Sequence, residues 1–128
     1  MSSLSNTPKA VWWTFALLWA GLIFWPSNSP DARGGGSLLA LLPYGDKLAH
    51  GTAFGVLGAL LYAASGRVGV ALGLATLYGV SDELHQSFVP GRSSDLFDLL
   101  ADTLGAALFI FLVRYLTRRL SVRTNPVQ

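Results

Sequence analysis

The sequence contains no cysteine and few charged residues. The absence of cysteine among its 128 residues excludes disulfides, thiolate metal sites and cysteine nucleophiles. Charged residues make up 12% of the chain, against about 25% in an average soluble domain. Apolar residues make up 52%. A chain with so little charge cannot cover a water-facing surface, so the composition predicts a single domain of the membrane class.

Signals for nucleic-acid binding and for secretion are also missing. The formal charge is only +2, and no basic run carries interleaved aromatic residues. We therefore expect no nucleic-acid partner. The first apolar run follows Lys9, but no small-x-small cleavage site comes after it. We interpret this run as a retained helix rather than as a signal peptide.

Four apolar segments organise the chain. They cover residues 10–25, 48–64, 68–88 and 96–116. Segments of this length span about 24–32 Å as helices, close to the ~30 Å hydrocarbon core of a bilayer. No alternating strand pattern is present, so we predict an all-α integral membrane bundle of four transmembrane helices. Residues 10–116 form the membrane domain, between an N-terminal tail at 1–9 and a basic tail at 117–128.

The distribution of basic residues predicts the orientation. An even number of spans places both termini on the same side of the membrane. That side carries six positive residues: Lys9, Arg67, Arg114, Arg118, Arg119 and Arg123. The opposite side carries three: Arg33, Lys47 and Arg92. The positive-inside rule therefore predicts a multi-pass protein of the cytoplasmic (inner) membrane with both termini in the cytoplasm.

Two GxxxG pairs occur inside the predicted spans. Gly51 and Gly55 form one pair on the second helix, and Gly69 and Gly73 form the other on the third. Small residues allow helix backbones to approach closely in lipid. We predict tight packing within the chain at these positions. A homodimer seam is the alternative.

Polar residues gather at the predicted outer ends of three helices. They are Asp46, His50, Asp82, Glu83, His85, Gln86, Asp95, Asp98 and Asp102. The three aspartates of the fourth helix share one helical face because of their i, i+3, i+7 spacing. A charged aspartate at mid-span costs ~3 kcal/mol on insertion scales. Such groups face a bundle interior or a wet cavity, so we predict a polar pocket that opens outward.

The residue types in this set suggest several roles. Arginine grips phosphate or carboxylate groups bidentately, histidine transfers protons near neutral pH, and carboxylates with imidazole ligate divalent metals. The candidate catalytic residues are Glu83, His50 and Asp102. The candidate ligand-binding residues are Arg92, Asp46, Gln86, His85 and Asp98. The candidate ligands for a divalent metal are Asp46, His50, Glu83 and His85. No HExxH or DDxxD motif is present, so the sequence leaves open whether the protein is an enzyme.

A structural role for the same residues is the alternative. Asp95 has the position of an N-cap of the fourth helix, and Asp98 complements the dipole of that helix. The protein would then be a non-catalytic membrane scaffold or a partner-binding protein. The trio Glu83, Arg92 and Asp102 favours function, because a scaffold could use apolar residues at less cost.

Three sequence blocks resemble the VanZ-like family. They are DKLAH at 46–50, SDELHQSFVPGRSSDLFD at 81–98 and DTLG at 102–105, and the resemblance covers roughly residues 45–112. The family consists of small polytopic membrane proteins and is named after an accessory protein of glycopeptide-resistance gene clusters. The resemblance implies contact with membrane lipids, an envelope-lipid or glycopeptide-related ligand, and an effect on teicoplanin-type susceptibility. The sequence departs from the family pattern at Asp102, where many members have Asn, and at His85, where many have an apolar residue.

Overall fold

Four helices make up the described part of the chain. The computed structural model describes residues 6–27, 45–91 and 94–124. The helices are α1 (Lys9–Ser27), α2 (Gly45–Ser65), α3 (Val68–Ser87) and α4 (Leu96–Thr124). Within the described ranges no residue is in a strand. The prediction of an all-α protein is therefore confirmed.

Two of the helices are long and apolar enough to cross a membrane. Their candidate spans are Lys47–Ser65 and Leu96–Arg123, and α1 contains a shorter apolar helix, Lys9–Trp25. Polar residues at the end of α3 lower its mean hydropathy. Only 22% of the α4 span is buried, whereas the core helix of a soluble protein would be mostly enclosed. Most of the apolar surface of this helix therefore faces outward from the bundle.

The α4 helix extends past the predicted span 96–116. The helix continues to Thr124. Residues 117–123 contain neither glycine nor proline, so no helix-breaking residue interrupts it before that point. Arg118, Arg119 and Arg123 therefore continue the helix beyond its apolar part.

Helix packing centres on α2 and α4, which make the most extensive contact in the bundle. The α3 helix packs against both of them, and α1 packs mainly against α2. Two hydrogen bonds fix α1: Trp19 Nε1 donates to the Ala53 carbonyl at 2.8 Å, and the Tyr78 hydroxyl donates to the Ala20 carbonyl at 2.5 Å. The buried apolar core consists of Ala16, Phe54, Leu57, Leu61, Ala71, Ala75, Ala106 and Ile110.

The backbones of α2 and α4 touch where Gly51 meets Gly105. A Cβ atom added at Gly105 would lie 2.0 Å from the Gly51 carbonyl oxygen, and one added at Gly55 would lie 2.7 Å from the Phe109 ring. The predicted in-chain packing is thus confirmed for the first GxxxG pair. It is wrong for Gly69 and Gly73, where an added Cβ would meet no atom within 4 Å in the described residues. Those glycines lie on the exposed face of α3.

Short connections make α2, α3 and α4 successively antiparallel. Gly66 has a positive φ of 70° and donates its backbone N–H to the Tyr62 carbonyl at 2.8 Å, which ends α2 in a left-handed cap. Gly91 has a φ of 81° in the turn after α3. The start of α2, the end of α3 and the start of α4 consequently lie at one end of the bundle. The first residues of α1 and the last residues of α4 lie at the other end.

The Gly105→Ala substitution tests the α2–α4 contact. The added methyl group would collide with backbone, which cannot move aside as a flexible side chain can. Overpacking of this kind costs about 1–3 kcal/mol or more. We expect a lower free energy of unfolding, measured by denaturation of the purified protein in detergent micelles.

The matched control is Gly73→Ala, which adds the same methyl group in open space on α3. It should leave stability unchanged or raise it by roughly 0.5–1 kcal/mol, because alanine is the better helix former. Equal stability of the two variants would contradict the close backbone contact.

Candidate polar site at one end of the bundle

Buried polar side chains occupy the end of the bundle where α2, α3 and α4 meet. Five of the described polar residues there are buried: Asp82, Glu83, Gln86, Asp98 and Asp102. Asp82, Glu83 and Gln86 come from the end of α3, and Asp98 and Asp102 come from the start of α4. The contacts described below bring the start of α2, the end of α3 and the start of α4 together at one end of the bundle.

Lys47 joins α2 to the start of α4. Its Nζ atom donates to Asp95 Oδ2 at 2.9 Å and also to Asp98 Oδ1. The side chain of Asp98 is only 6% exposed, whereas that of Asp95 is 36% exposed. The pair formed with Asp98 is therefore the more strongly desolvated of the two.

His50 pairs with Asp102 one turn further into the bundle. The Nδ1 atom of His50 lies 3.0 Å from Asp102 Oδ1, and Asp102 is fully buried. When the proton is on Nδ1, the ring donates to the carboxylate and Nε2 keeps a free lone pair. The side chain of His50 retains 20% exposure. This pair fixes the orientation of the imidazole ring.

Glu83 and Asp95 secure the turn between α3 and α4. Asp95 caps α4, because its Oδ1 accepts the backbone N–H of Phe97 at 2.9 Å. Its own backbone N–H donates to Glu83 Oε2 at 2.9 Å. The interpretation of Asp95 as an N-cap is confirmed. Glu83 thus has one oxygen committed to a backbone contact.

Three buried carboxylates each keep one oxygen without a hydrogen bond from the described residues. These oxygens are Asp82 Oδ1, Glu83 Oε1 and Asp102 Oδ2. The second oxygen of Asp82 accepts Gln86 Nε2 at 3.2 Å. A buried polar atom without a partner costs about 1–3 kcal/mol, and more when it is charged. Within the described residues, the cluster therefore offers more hydrogen-bond acceptors than hydrogen-bond donors.

Three of these residues form a potential metal-binding group. His50, Asp82 and Glu83 each offer one ligand atom, and the three atoms lie within 4.8 Å of one another. His50 and Glu83 were predicted as metal ligands from the sequence. Asp82 was not, although its i, i+4 spacing to Gln86 places both side chains on one face of α3.

Three other predicted site residues either lie apart from this group or are not among the residues that the structure describes. The ring of His85 packs against Phe24 of α1, with centroids 4.8 Å apart. Arg92 lies outside the described residues, as does the side chain of Asp46. Their predicted contributions to the site stay predictions.

An apolar groove of about 480 Å³ lies elsewhere, between α1 and α2. It is lined by Trp12, Phe15, Leu18, Trp19, Leu22 and Leu60. These side chains offer no charged or catalytic group, so the groove does not correspond to the predicted polar pocket. An outward-opening polar pocket remains a prediction.

The fold and the cluster together define a helical membrane protein with acidic side chains buried at one end of its helices. The VanZ/LLP1 family model matches residues 12–118, which is most of the chain; the match contains α2 and α3 and most of α1 and α4. The chain therefore belongs to the VanZ/LLP1 family. A search of curated proteins and a search of solved structures found no match.

Removal of the Lys47 charge should destabilise the bundle. In Lys47→Met, the buried carboxylate of Asp98 loses the ammonium group that compensates it. Breaking a buried ion pair from one side costs about 3 kcal/mol. We expect a corresponding loss in the free energy of unfolding in detergent, partly restored when Asp98→Asn is added.

Lys9→Met provides the matched control, because Lys9 is an exposed residue at the start of α1. Its stability should stay within about 0.5 kcal/mol of wild type. A Lys47→Met protein as stable as this control would show that the pair with Asp98 contributes nothing.

Proposed function

We propose that this protein crosses the cytoplasmic membrane four times, with both termini in the cytoplasm. We also propose that it binds the headgroup of a lipid or another envelope component at the outer surface. The distribution of basic residues supports the orientation, because the proposed topology assigns six of them to the side of the two termini and three to the opposite side. The buried polar cluster then lies in the outer half of the membrane.

The observation that carries this proposal is the set of buried carboxylate oxygens without hydrogen-bond donors. Asp82, Glu83 and Asp102 each contribute one of them within the described residues. A scaffold gains nothing from such atoms, because apolar side chains of similar size pack at lower cost. A bound group that supplies hydroxyl or ammonium donors, or a cation, would satisfy them.

The headgroup would meet two kinds of protein groups. The acidic cluster would offer acceptors for its donors, and Arg92 of the sequence PGR would offer a bidentate contact for its phosphate or carboxylate. Any processing of the bound group would use Glu83, His50 or Asp102 for proton transfer. Sequestration of an envelope component would connect this binding to the effect on teicoplanin-type susceptibility that the sequence resemblance implies.

A non-catalytic scaffold or partner-binding protein is the second candidate. It is favoured by the contacts of Lys47 and Asp95, which are those of an ordinary structural network: an ion pair between helices and a helix cap. In this case the polar cluster would serve only to hold α2, α3 and α4 together.

Cysteine accessibility tests the orientation without any background signal, because the chain contains no cysteine. Ser94 and Ser121 are exposed at opposite ends of the bundle. In intact cells, a membrane-impermeant maleimide should label Ser94→Cys and not Ser121→Cys. The reverse labelling pattern would invert the proposed topology.

Retention of a bound headgroup tests the function itself. Native mass spectrometry of the wild-type protein, purified in mild detergent, should show a bound lipid or envelope component of defined mass. Glu83→Gln removes a charge from the cluster and should reduce the bound fraction at least tenfold, with unchanged helicity and monodispersity. The same variant should abolish any change in teicoplanin susceptibility caused by expression of the wild type.

Thr117→Val is the control at the far end of α4, where the hydroxyl donates to the carbonyl of Arg114, one turn earlier in the same helix. It should retain the ligand. Failure of both Glu83→Gln and Arg92→Ala to accumulate in the membrane would favour the scaffold. A wild-type protein that carries no specific component would also count against headgroup binding.

A further inference from the structure

We infer that His50, Asp82 and Glu83 bind one divalent transition-metal ion, with Asp102 as the residue that positions the His50 ring. The inference rests on the proposed function and extends it, because it names a cation that would neutralise the acidic cluster. Metal binding by the chain can nevertheless be measured without any headgroup. The two proposals can therefore fail separately.

The ligand atoms come from two helices and converge at one point. A nitrogen of His50 on α2 and one carboxylate oxygen each from Asp82 and Glu83 on α3 lie within 4.8 Å of one another. Metal–ligand bonds of about 2.0–2.2 Å place neighbouring ligand atoms about 3–4 Å apart. Small rotations of the two carboxylates are sufficient to reach this spacing.

The unpartnered carboxylate oxygens are the second observation that points to an ion. Asp82 is 3% exposed and Glu83 is 7% exposed. One oxygen of each is held by the protein: Asp82 Oδ2 by Gln86, and Glu83 Oε2 by the backbone N–H of Asp95. The other oxygen of each accepts no hydrogen bond from the described residues. Carboxylates that are oriented in this way are typical metal ligands.

The His50–Asp102 pair has the arrangement of a metal-binding histidine. Metal-ligating histidines usually donate their other ring N–H to a carboxylate, which sets the tautomer and the ring orientation. Here Nδ1 lies 3.0 Å from Asp102 Oδ1, so Nε2 is the nitrogen left for the ion. Asp102 is fully buried and thus excludes water from this contact.

The donor set selects the class of metal. Ca²⁺ and Mg²⁺ prefer oxygen ligands alone, whereas an imidazole with carboxylates suits Zn²⁺ and its first-row neighbours. Two carboxylates would balance the charge of a divalent ion. Three protein ligands leave a coordination position open. A phosphate oxygen of an anionic headgroup could bind there, which would reconcile an acidic cluster with an anionic ligand.

Titration with Zn²⁺ and Co²⁺ tests the site in the full-length protein in detergent. We expect one Zn²⁺ per chain in competition with a chromogenic chelator, and Co²⁺ d–d absorption that Zn²⁺ displaces. His50→Gln should abolish both signals. Asp102→Asn should keep the site but weaken its affinity about 10–100-fold, as loss of an orienting carboxylate does. No stoichiometric binding by the wild type would overturn the proposal.

His85→Gln is the matched control, because His85 packs on Phe24 and is not in the ligand group. It should bind metal as the wild type does, and binding lost in this variant but kept in His50→Gln would overturn the assignment. Since the variant retains His50 as its single histidine, its imidazole resonances can also be followed by NMR. Zn²⁺ should shift them, and unchanged resonances at saturating Zn²⁺ would contradict ligation by His50 even if His50→Gln does not fold.

Discussion

The burial of acidic side chains at one end of the bundle is the constraint on which the rest of the structure depends. Four of the described carboxylates, those of Asp82, Glu83, Asp98 and Asp102, are almost entirely removed from solvent. Lys47 compensates Asp98, and His50 contacts Asp102. The remaining acceptors need a partner, because an uncompensated charge in a low-dielectric environment is strongly unfavourable. In our account, that partner is a metal ion and the headgroup it would hold.

The close contact between α2 and α4 makes this arrangement possible. Because Gly51 and Gly105 bring the two backbones together, His50 reaches Asp102 directly across the interface. A larger residue at Gly105 would collide with the α2 backbone, separate the helices and draw the imidazole away from its carboxylate. The contact between α2 and α4 thus determines both the packing of these helices and the geometry of the His50–Asp102 pair. The outer surface of the bundle is different in kind, because many large apolar side chains are exposed there.

Much of this structure follows from the sequence, and the exceptions have physical causes. The length of the apolar segments predicts the four helices, and the spacing of the aspartates predicts one polar face on α4. The sequence does not reveal which GxxxG pair is buried, since Gly69 and Gly73 have the same pattern as Gly51 and Gly55 and yet face outward. It also left Asp82 out of the metal ligands, because the rotation of α3 about its axis depends on packing rather than on composition.

The most direct test of the central claim is the position of a bound ion. Crystals grown in a lipidic phase and soaked with Zn²⁺ should give an anomalous-difference peak at the zinc edge between His50, Asp82 and Glu83. The peak should lie about 2.0–2.2 Å from His50 Nε2 and from one oxygen of each carboxylate. An empty cluster at saturating Zn²⁺, with the free carboxylate oxygens hydrogen-bonded to protein or water instead, would contradict the account.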